Sequence, residues 1–453
     1  MSEAAEIAAL LAEARRLAEA GGDAAAKEAY LQILRRDPAQ FDALNELGTL
    51  AYESGHRSAA RTAYEQAVRC HPGNPIARVN LGNVLIEAGE FAAARAEYAA
   101  ALAVDPDLAQ AHQGLARALT ELGESAAAAP HFQKGFAGRA VMTRRRRGTA
   151  AGVPLLLLVS AKGGNIPTER WLDDRLFAVT ALYAEFFNPA QSLPQHAVIF
   201  NAIGDADRCG EALAHAEAIA RRSKAPLINP PAAVRATGRA AMSRRLTGVP
   251  GLIVPKVESL SRSALFAASH LGFPILLRAP GFHTGRHFVK IERRDAFAAA
   301  LAGLPGDEIL AIEYLDARGP DGFARKYRVM MIEGALYPLH LAVSAEWKVH
   351  YFTADMAASA AHRAEERRFL DDMPAVLGDR AMEALGRVSQ MLGLDYAGID
   401  FALAADGRVL FFEANAAMVV NPPDPDPVWD YRRPAVDRVL DAAKRLVLAR
   451  ATG

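Results

Sequence analysis

Cysteine is scarce: Cys70 and Cys209 are the two in 453 residues, and neither sits in a CxxC or a Cys/His spacing. That excludes a disulfide framework and a cysteine-built zinc centre, and makes a reducing compartment the default. Charge of one sign is missing as well. The 52 basic residues balance 52 acidic ones, so no global field draws the chain to nucleic acid or to a membrane surface. Long apolar runs are absent too: Val153 to Val159 is the longest, far short of the roughly 20 residues a transmembrane helix needs. The acidic start, Met1-Ser2-Glu3, is unlike a secretory leader. A cytoplasmic protein with neither nucleic-acid nor membrane partner is the expectation. What is present is an ordinary globular composition, 51% apolar and 23% charged, in a chain long enough for about three compact units.

Self-similarity organises the first third. Gly21, Gly55, Gly89 and Gly123 recur every 34 residues, and the same offset carries Ala26, Ala60, Ala94 and Ala128, then Tyr30, Tyr64, Tyr98 and Phe132, then Pro38, Pro72 and Pro106. Leu47-Gly48 and Leu81-Gly82 complete the pattern. Each class has a mechanical reason: glycine turns the chain after a first helix, alanine lets two helices approach, the aromatic fills the gap between repeats, and proline stops the second helix. Residues 5–136 resemble the tetratricopeptide repeat (TPR) family, which implies an all-α solenoid of four repeats over residues 1–136. Repeat 1 departs, with Glu13-Ala14 in place of Leu-Gly, and Gly135 ends the register in repeat 4. By repeat position the concave groove includes Asn45, Thr49, Val79, Asn83, Gln113 and Arg117. Amides there suit the backbone of a peptide or protein partner, although solvated helix faces would look the same. Residues 137–150 read as a basic linker, with Arg144 to Arg147 solvated.

After residue 150 strands and helices alternate. The expected order is a buried strand Val153 to Val159, a helix Arg170 to Phe187, a strand Ala197 to Asn201, a helix Gly210 to Arg222 and a strand Pro226 to Asn229. That is a small parallel α/β subdomain over 151–235. Phe273 to Arg278 and His287 to Ile291 then flank a glycine-containing tip, followed by a helix 293–302 and a strand Ile309 to Leu315. Lys326 to Ile332 and Leu336 to Val343 form an antiparallel pair before the last hairpin.

That hairpin carries the sharpest chemistry. Tyr396 to Ala404 and Arg408 to Ala414 flank Asp406-Gly407, and a two-residue turn would pair residues whose numbers sum to 813. Asp400 then faces Glu413, with Asn415 on the same side, while Phe401, Leu403, Leu410 and Phe412 face the core. Two opposed carboxylates call for a cation, and hard oxygen donors suit Mg²⁺. At the glycine tip, Arg278 ends an apolar strand beside a loop whose amides could cover an anion.

Together these segments resemble the ATP-grasp superfamily over about residues 151–450, through NPPAAV, GFPILLRAPGFHTG, IEYLD and GIDFALAADGRVLFFEANAA. The resemblance implies an α/β plus α+β fold with a central subdomain 236–317 and a C-terminal one 318–453. It implies ATP held by Arg278, Gly281, Thr284 and Gly285 at the phosphates and by Glu313, Tyr314 and Leu315 at adenine, with magnesium on Asp400, Glu413 and Asn415. Gly398 stands where related ligases often carry an arginine. Arg328, and after it Lys348, are the candidate replacements. His340, Trp347 and His350 are candidate substrate residues. The implied activity is an ADP-forming ligase that joins a small-molecule carboxylate to an amine or other nucleophile through an acylphosphate, with a peptide or protein substrate recruited by the repeats. The alternatives are a small-molecule ligase of glutathione-synthetase type whose repeats serve assembly into oligomers, and a nucleotide-binding scaffold without ligase activity.

Overall fold

The computed structural model describes residues 3–144, 146–147, 151–282, 285–350, 354–424 and 426–452. Thr284, expected in the phosphate loop, and Arg145, within the arginine run, lie outside the described residues. The chain divides into two compact units. One comprises Met1–Gly152 with Asp174–Val179 and Phe186–Asn188, the other Val153–Asp173, Thr180–Glu185 and Pro189–Gly453.

In the first unit eight helices follow in antiparallel pairs: α1 (Glu3–Glu19), α2 (Asp23–Arg36), α3 (Phe41–Glu53), α4 (Arg57–Cys70), α5 (Pro75–Glu87), α6 (Phe91–Val104), α7 (Ala109–Glu121) and α8 (Ser125–Phe136). The four period glycines lie between the helices of each pair at φ of 77° to 83°, a left-handed conformation that costs glycine little and other residues more. The Leu-Gly glycines have a different task. A Cβ on Gly48 would come within 2.7 Å of the Tyr64 ring and one on Gly82 within 2.7 Å of the Tyr98 ring, so each helix closes on a buried aromatic; Gly114, outside that pattern, approaches Tyr98 in the same way. Helices α4 and α6 end two residues before Pro72 and Pro106.

The basic linker differs from its expected solvated state. β1 (Val141–Thr143) leads to Arg144, whose N–H donates to the Val179 carbonyl at 2.9 Å. Arg147 Nε donates to Asp174 Oδ2 at 2.7 Å, and its NH1 lies 3.3 Å from Asp23 Oδ1. Phe186 stacks on Phe136 with centroids 5.0 Å apart. The arginines find carboxylates and carbonyls that lie close by in space and far off in sequence.

The second unit opens with β2 (Val153–Val159), followed by β3 (Phe177–Tyr183), β4 (Val198–Asn201), α9 (Gly210–Ala220) and β5 (Leu227–Ile228). β2, β4 and β5 run parallel. The helix expected over Arg170–Phe187 is absent; β3 takes its place between two short 3₁₀ turns. Phe177-Ala-Val-Thr-Ala-Leu-Tyr183 begins with alternating buried and half-buried positions, the period of a strand. α10 (Pro231–Arg235) and α11 (Arg239–Leu246) lead to β6 (Leu252–Ile253). Asn229, the first residue of NPPAAV, exchanges side-chain bonds with the Tyr396 backbone at 2.8 and 2.9 Å.

β7 (Val257–Ser261), α12 (Arg262–Ala267), β8 (Ile275–Arg278), β9 (Phe288–Ile291), α13 (Phe297–Ala302) and β10 (Glu308–Glu313) form a four-stranded antiparallel layer ordered β7-β10-β8-β9. Its core is Leu265, Ile275, Leu277, Phe297 and Leu301. β11 (Ala324–Ile332), β12 (Ala335–Ser344), α14 (Ala360–Asp371), α15 (Met373–Leu377), α16 (Asp379–Leu392), β13 (Tyr396–Leu403), β14 (Val409–Asn415) and α17 (Arg433–Thr452) complete the chain. Their sheet is ordered β12-β11-β13-β14-β6. β6 runs parallel to β14, so Leu252 and Ile253, inside the expected bounds 236–317 of the central subdomain, join the C-terminal sheet. Among the described residues no helix is long and apolar enough to cross a membrane.

Candidate functional site: a charged row across the C-terminal sheet

Strand register builds the site. Arg328 on β11 pairs with His340 on β12 and with Asp400 on β13, and Asp400 pairs with Glu413 on β14. Four strands therefore bring His340, Arg328, Asp400 and Glu413 into one line, and Asn415, paired with Gly398, follows two residues along. The Asp400–Glu413 pairing agrees with the sequence expectation, but the turn does not. Ala404, not Ala405, bonds to Arg408 at 2.8 Å, and Leu403 pairs with Val409. A bulge between Asp400 and Phe401 restores the register at the carboxylates. It also places Phe411, not Phe412, opposite Phe401, and Phe411 is buried while Phe412 is half-buried.

The protein supplies its own cations to this row. Arg328 forks onto Asp400, Nε to Oδ1 at 2.6 Å and NH2 to Oδ2 at 2.8 Å, and Lys326 Nζ lies 3.1 Å from Oδ2. Burial would raise the Asp400 pKa, but Arg328 and Lys326 outweigh it and hold the group far below the usual carboxylate range. Glu413 is likewise raised by burial and brought lower by Arg239 and Arg278. Arg239, at the start of α11, bridges Glu413 at 2.6 Å and Asp207 at 2.8 Å. Burial opposes the charge on Arg239, and Glu413 with Asp207 more than restores it. His340, behind Arg328, is kept neutral by burial and then by the Arg328 charge.

Asp400, Glu413 and Asn415 are a hard-oxygen set on one sheet face, which fits magnesium in donor type. Their oxygens already accept from Arg328, Lys326, Arg239 and the Ala417 amide. The described residues hold no group of three or more His, Cys, Asp or Glu able to bind a metal by themselves. A metal there would share its sphere with oxygens from a ligand. Gly398 is closely packed: a Cβ there would meet Met418 Cγ at 2.7 Å and Met330 Sδ at 2.9 Å, so a larger side chain would require both methionines to move.

Facing this row, β8 ends at Arg278. Its NH2 donates to the Phe282 carbonyl at 2.7 Å, while the buried Nε has no acceptor. Burial, then the nearby Arg239 charge, pushes the Arg278 pKa down to about 10. Gly281 and Gly285 take φ of 80° and 72° in the loop. Lys348 Nζ donates to the Gly285 carbonyl at 3.1 Å. Trp347 packs edge-on against Phe288 at 5.5 Å and Tyr314 at 6.3 Å, and Lys290 Nζ lies 3.8 Å over the Tyr314 ring. Glu313 accepts from the Lys256 amide at 3.0 Å, Leu315 is half-buried, and so is His350. The structure thus gathers the expected phosphate, hinge and hairpin residues and Trp347-Lys348 in the same unit.

The expected repeat groove is less open than its sequence. Asn45 Oδ1 accepts from Asn80 at 2.7 Å, Asn83 Oδ1 from the Tyr98 hydroxyl at 2.7 Å, and Gln113 donates to the Gly135 carbonyl at 2.8 Å. Thr49 bonds Tyr64 and Val79 is buried. Arg117 is exposed.

Sequence reading missed Lys326 and Arg239. Lys326 stands two residues before Arg328, so strand alternation carried its signal. Arg239 is 174 residues from Glu413, and nothing local marks it. Sequence reading also missed a fifth period class, Glu19, Glu53, Glu87 and Glu121, each ending the first helix of a pair.

Two tetratricopeptide repeat family models match the chain, over residues 11–75 and 51–118. Among solved structures, a crystal structure of MamA is 22% identical, over 28% of this chain and 74% of that one, with a TM-score of 0.27. MamA from residue 41 onward, of Desulfovibrio magneticus RS-1, is also 22% identical, over 28% and 72%, at 0.27. At these scores the likenesses carry no argument of their own. No curated protein matches the chain. The N-terminal region of this protein carries tetratricopeptide repeats, followed by a mixed α/β region.

Proposed function

We propose that the second unit is an ATP-dependent, ADP-forming ligase of the ATP-grasp type, which activates a carboxylate as an acylphosphate. The observation that carries this reading is Arg278, a half-buried guanidinium whose buried Nε donor has no acceptor and whose pKa is depressed. Such a group lacks an anion, and a phosphate chain supplies one. In the reaction a substrate carboxylate oxygen attacks the γ-phosphorus, and ADP leaves with the electrons of the broken P–O bond. The lone pair of a nucleophile then attacks the acyl carbon, phosphate leaves with the C–O electrons, and the nucleophile's proton passes to solvent. Arg278 and Arg328 would neutralise the transferring group. Asp400, Glu413 and Asn415 would hold magnesium, which supplies further neutralisation of phosphate charge when bound. The repeats recruit a peptide or protein, with Arg117 the exposed cation for an acidic group on it.

A second reading, nucleotide binding without ligation, is favoured by Gly398, where two methionines would have to move for a larger side chain. Chromatography of nucleotides after incubating the full chain with ATP, magnesium and a cell extract separates the readings. Extract-stimulated ADP and phosphate are expected. AMP with pyrophosphate contradicts the acylphosphate route, and no stimulated turnover favours the scaffold.

A further inference from the structure

Asp400 has one charge and faces two cations. The Arg328 fork already uses both of its oxygens, at 2.6 and 2.8 Å, yet Lys326 Nζ also lies 3.1 Å from Oδ2. Lys326 keeps 15% of its side-chain exposure and Arg328 18%, too little for water to screen the surplus well. The cross-strand partner of Lys326 on β12 is Ala342, which offers no counter-charge. His350 reads the local field: Lys326 and Arg328 from β11 and Lys348 from its own segment act on it, against the single carboxylate of Asp400 from β13. Burial, with Lys326 and Arg328 next, lowers its proton affinity. Arg278 and Arg239 stand with Glu413 and Asp207, and Glu413 acts on Arg328 as well. Among the described residues the carboxylate within ion-pair distance of Lys326 is Asp400.

A half-buried lysine whose one near carboxylate is already forked by an arginine is placed to take an anion from outside the chain. Lys326 and Arg328 are two residues apart on one strand face, about 7 Å along it, the span between the ends of a short dicarboxylate. Resting on the ligase reading above, we propose that the acyl substrate carries a second carboxylate besides the reacting one, and that Lys326 holds it. Arg328 would then meet the reacting carboxylate and the transferring phosphoryl group, and Lys326 would set specificity.

Calorimetry of the full chain in the presence of ATP tests this, with butyrate as the monocarboxylate probe and succinate and glutarate as the dicarboxylates. A dicarboxylate should bind at least about tenfold more tightly than butyrate, the worth of one charge-assisted contact. Lys326→Gln should erase the difference and Lys326→Arg should restore most of it, each variant being read at its own saturating ATP. Equal binding of the two classes, binding of neither, or discrimination that survives Lys326→Gln would overturn the proposal. Dicarboxylate preference in a chain that binds no ATP would instead overturn the ligase reading and leave the Lys326 site standing.

Discussion

The two units use polar groups in opposite ways. In the repeat array the inner-face amides bond to one another, to a tyrosine hydroxyl or to backbone: Asn45 to Asn80, Asn83 to Tyr98, Gln113 to Gly135. These are neutral pairs, individually modest, that hold neighbouring helices in register. In the second unit the polar groups are charges drawn to one sheet face, and they do not balance locally. Arg278 has a donor without an acceptor, and Asp400 is shared by two cations. Polarity spent on cohesion leaves little to bind with, whereas polarity left unmatched under burial is held ready for a ligand.

If that contrast is right, the largest effect on activity should come from the charged row. Glu413→Gln removes the counter-charge of Arg239 and should lower ligase turnover by about 10²-fold or more. Circular dichroism should show the fold retained, and the array's own thermal transition should not move. Turnover within a factor of about two of the parent, a difference well under 1 kcal/mol, would break the assignment of this face as the site.

The array should respond in stability and not in chemistry. Tyr98 is fully buried against Gly82 and Gly114, so Tyr98→Ala should cost about 3–5 kcal/mol. Denaturant unfolding should show this as an early loss of helical signal, with nucleotide binding unchanged. A loss of nucleotide binding to match would mean that the two units do not divide their tasks in this way.

Acid should separate them too. Asp400 and Glu413 have folded pKa values below their ordinary ones. Their contribution to stability is thus present above the unfolded carboxylate value of about 4 and is lost progressively as pH falls below it. Thermal melts from neutral pH to pH 3 should show the second unit losing stability in that window, and Glu413→Gln should flatten the slope. An acid slope unaltered by Glu413→Gln would contradict the pairing. The smallest effect should come from Asn45→Ala, about 1 kcal/mol on the array and none on turnover.

How much of this was legible in the sequence follows the same division. In the array, geometry repeats with the residues, so a 34-residue offset implied four helical repeats and singled out the aromatics that are buried. It did not show that the groove amides are spoken for, because Asn80, Tyr98 and the Gly135 carbonyl lie a helix away. In the second unit Asp400 and Glu413 were paired correctly although the turn was placed one residue off. The bulge compensates, because both carboxylates must share a face whatever the loop does. The β3 strand was misread as a helix because its alternation is short. Arg239 was invisible because only tertiary folding brings the start of α11 to β14. Lys326 was readable from alternation beside Arg328, but nothing in the sequence said that one carboxylate would serve both.

The most direct test of the account is titration of the full chain with ATP, with and without magnesium, compared with Arg278→Met. The account predicts saturable binding by the parent, strengthened by magnesium, and at least about tenfold weaker binding by the variant, since a charge-assisted phosphate contact is lost. No binding by the parent, or equal affinity in the variant, would contradict it.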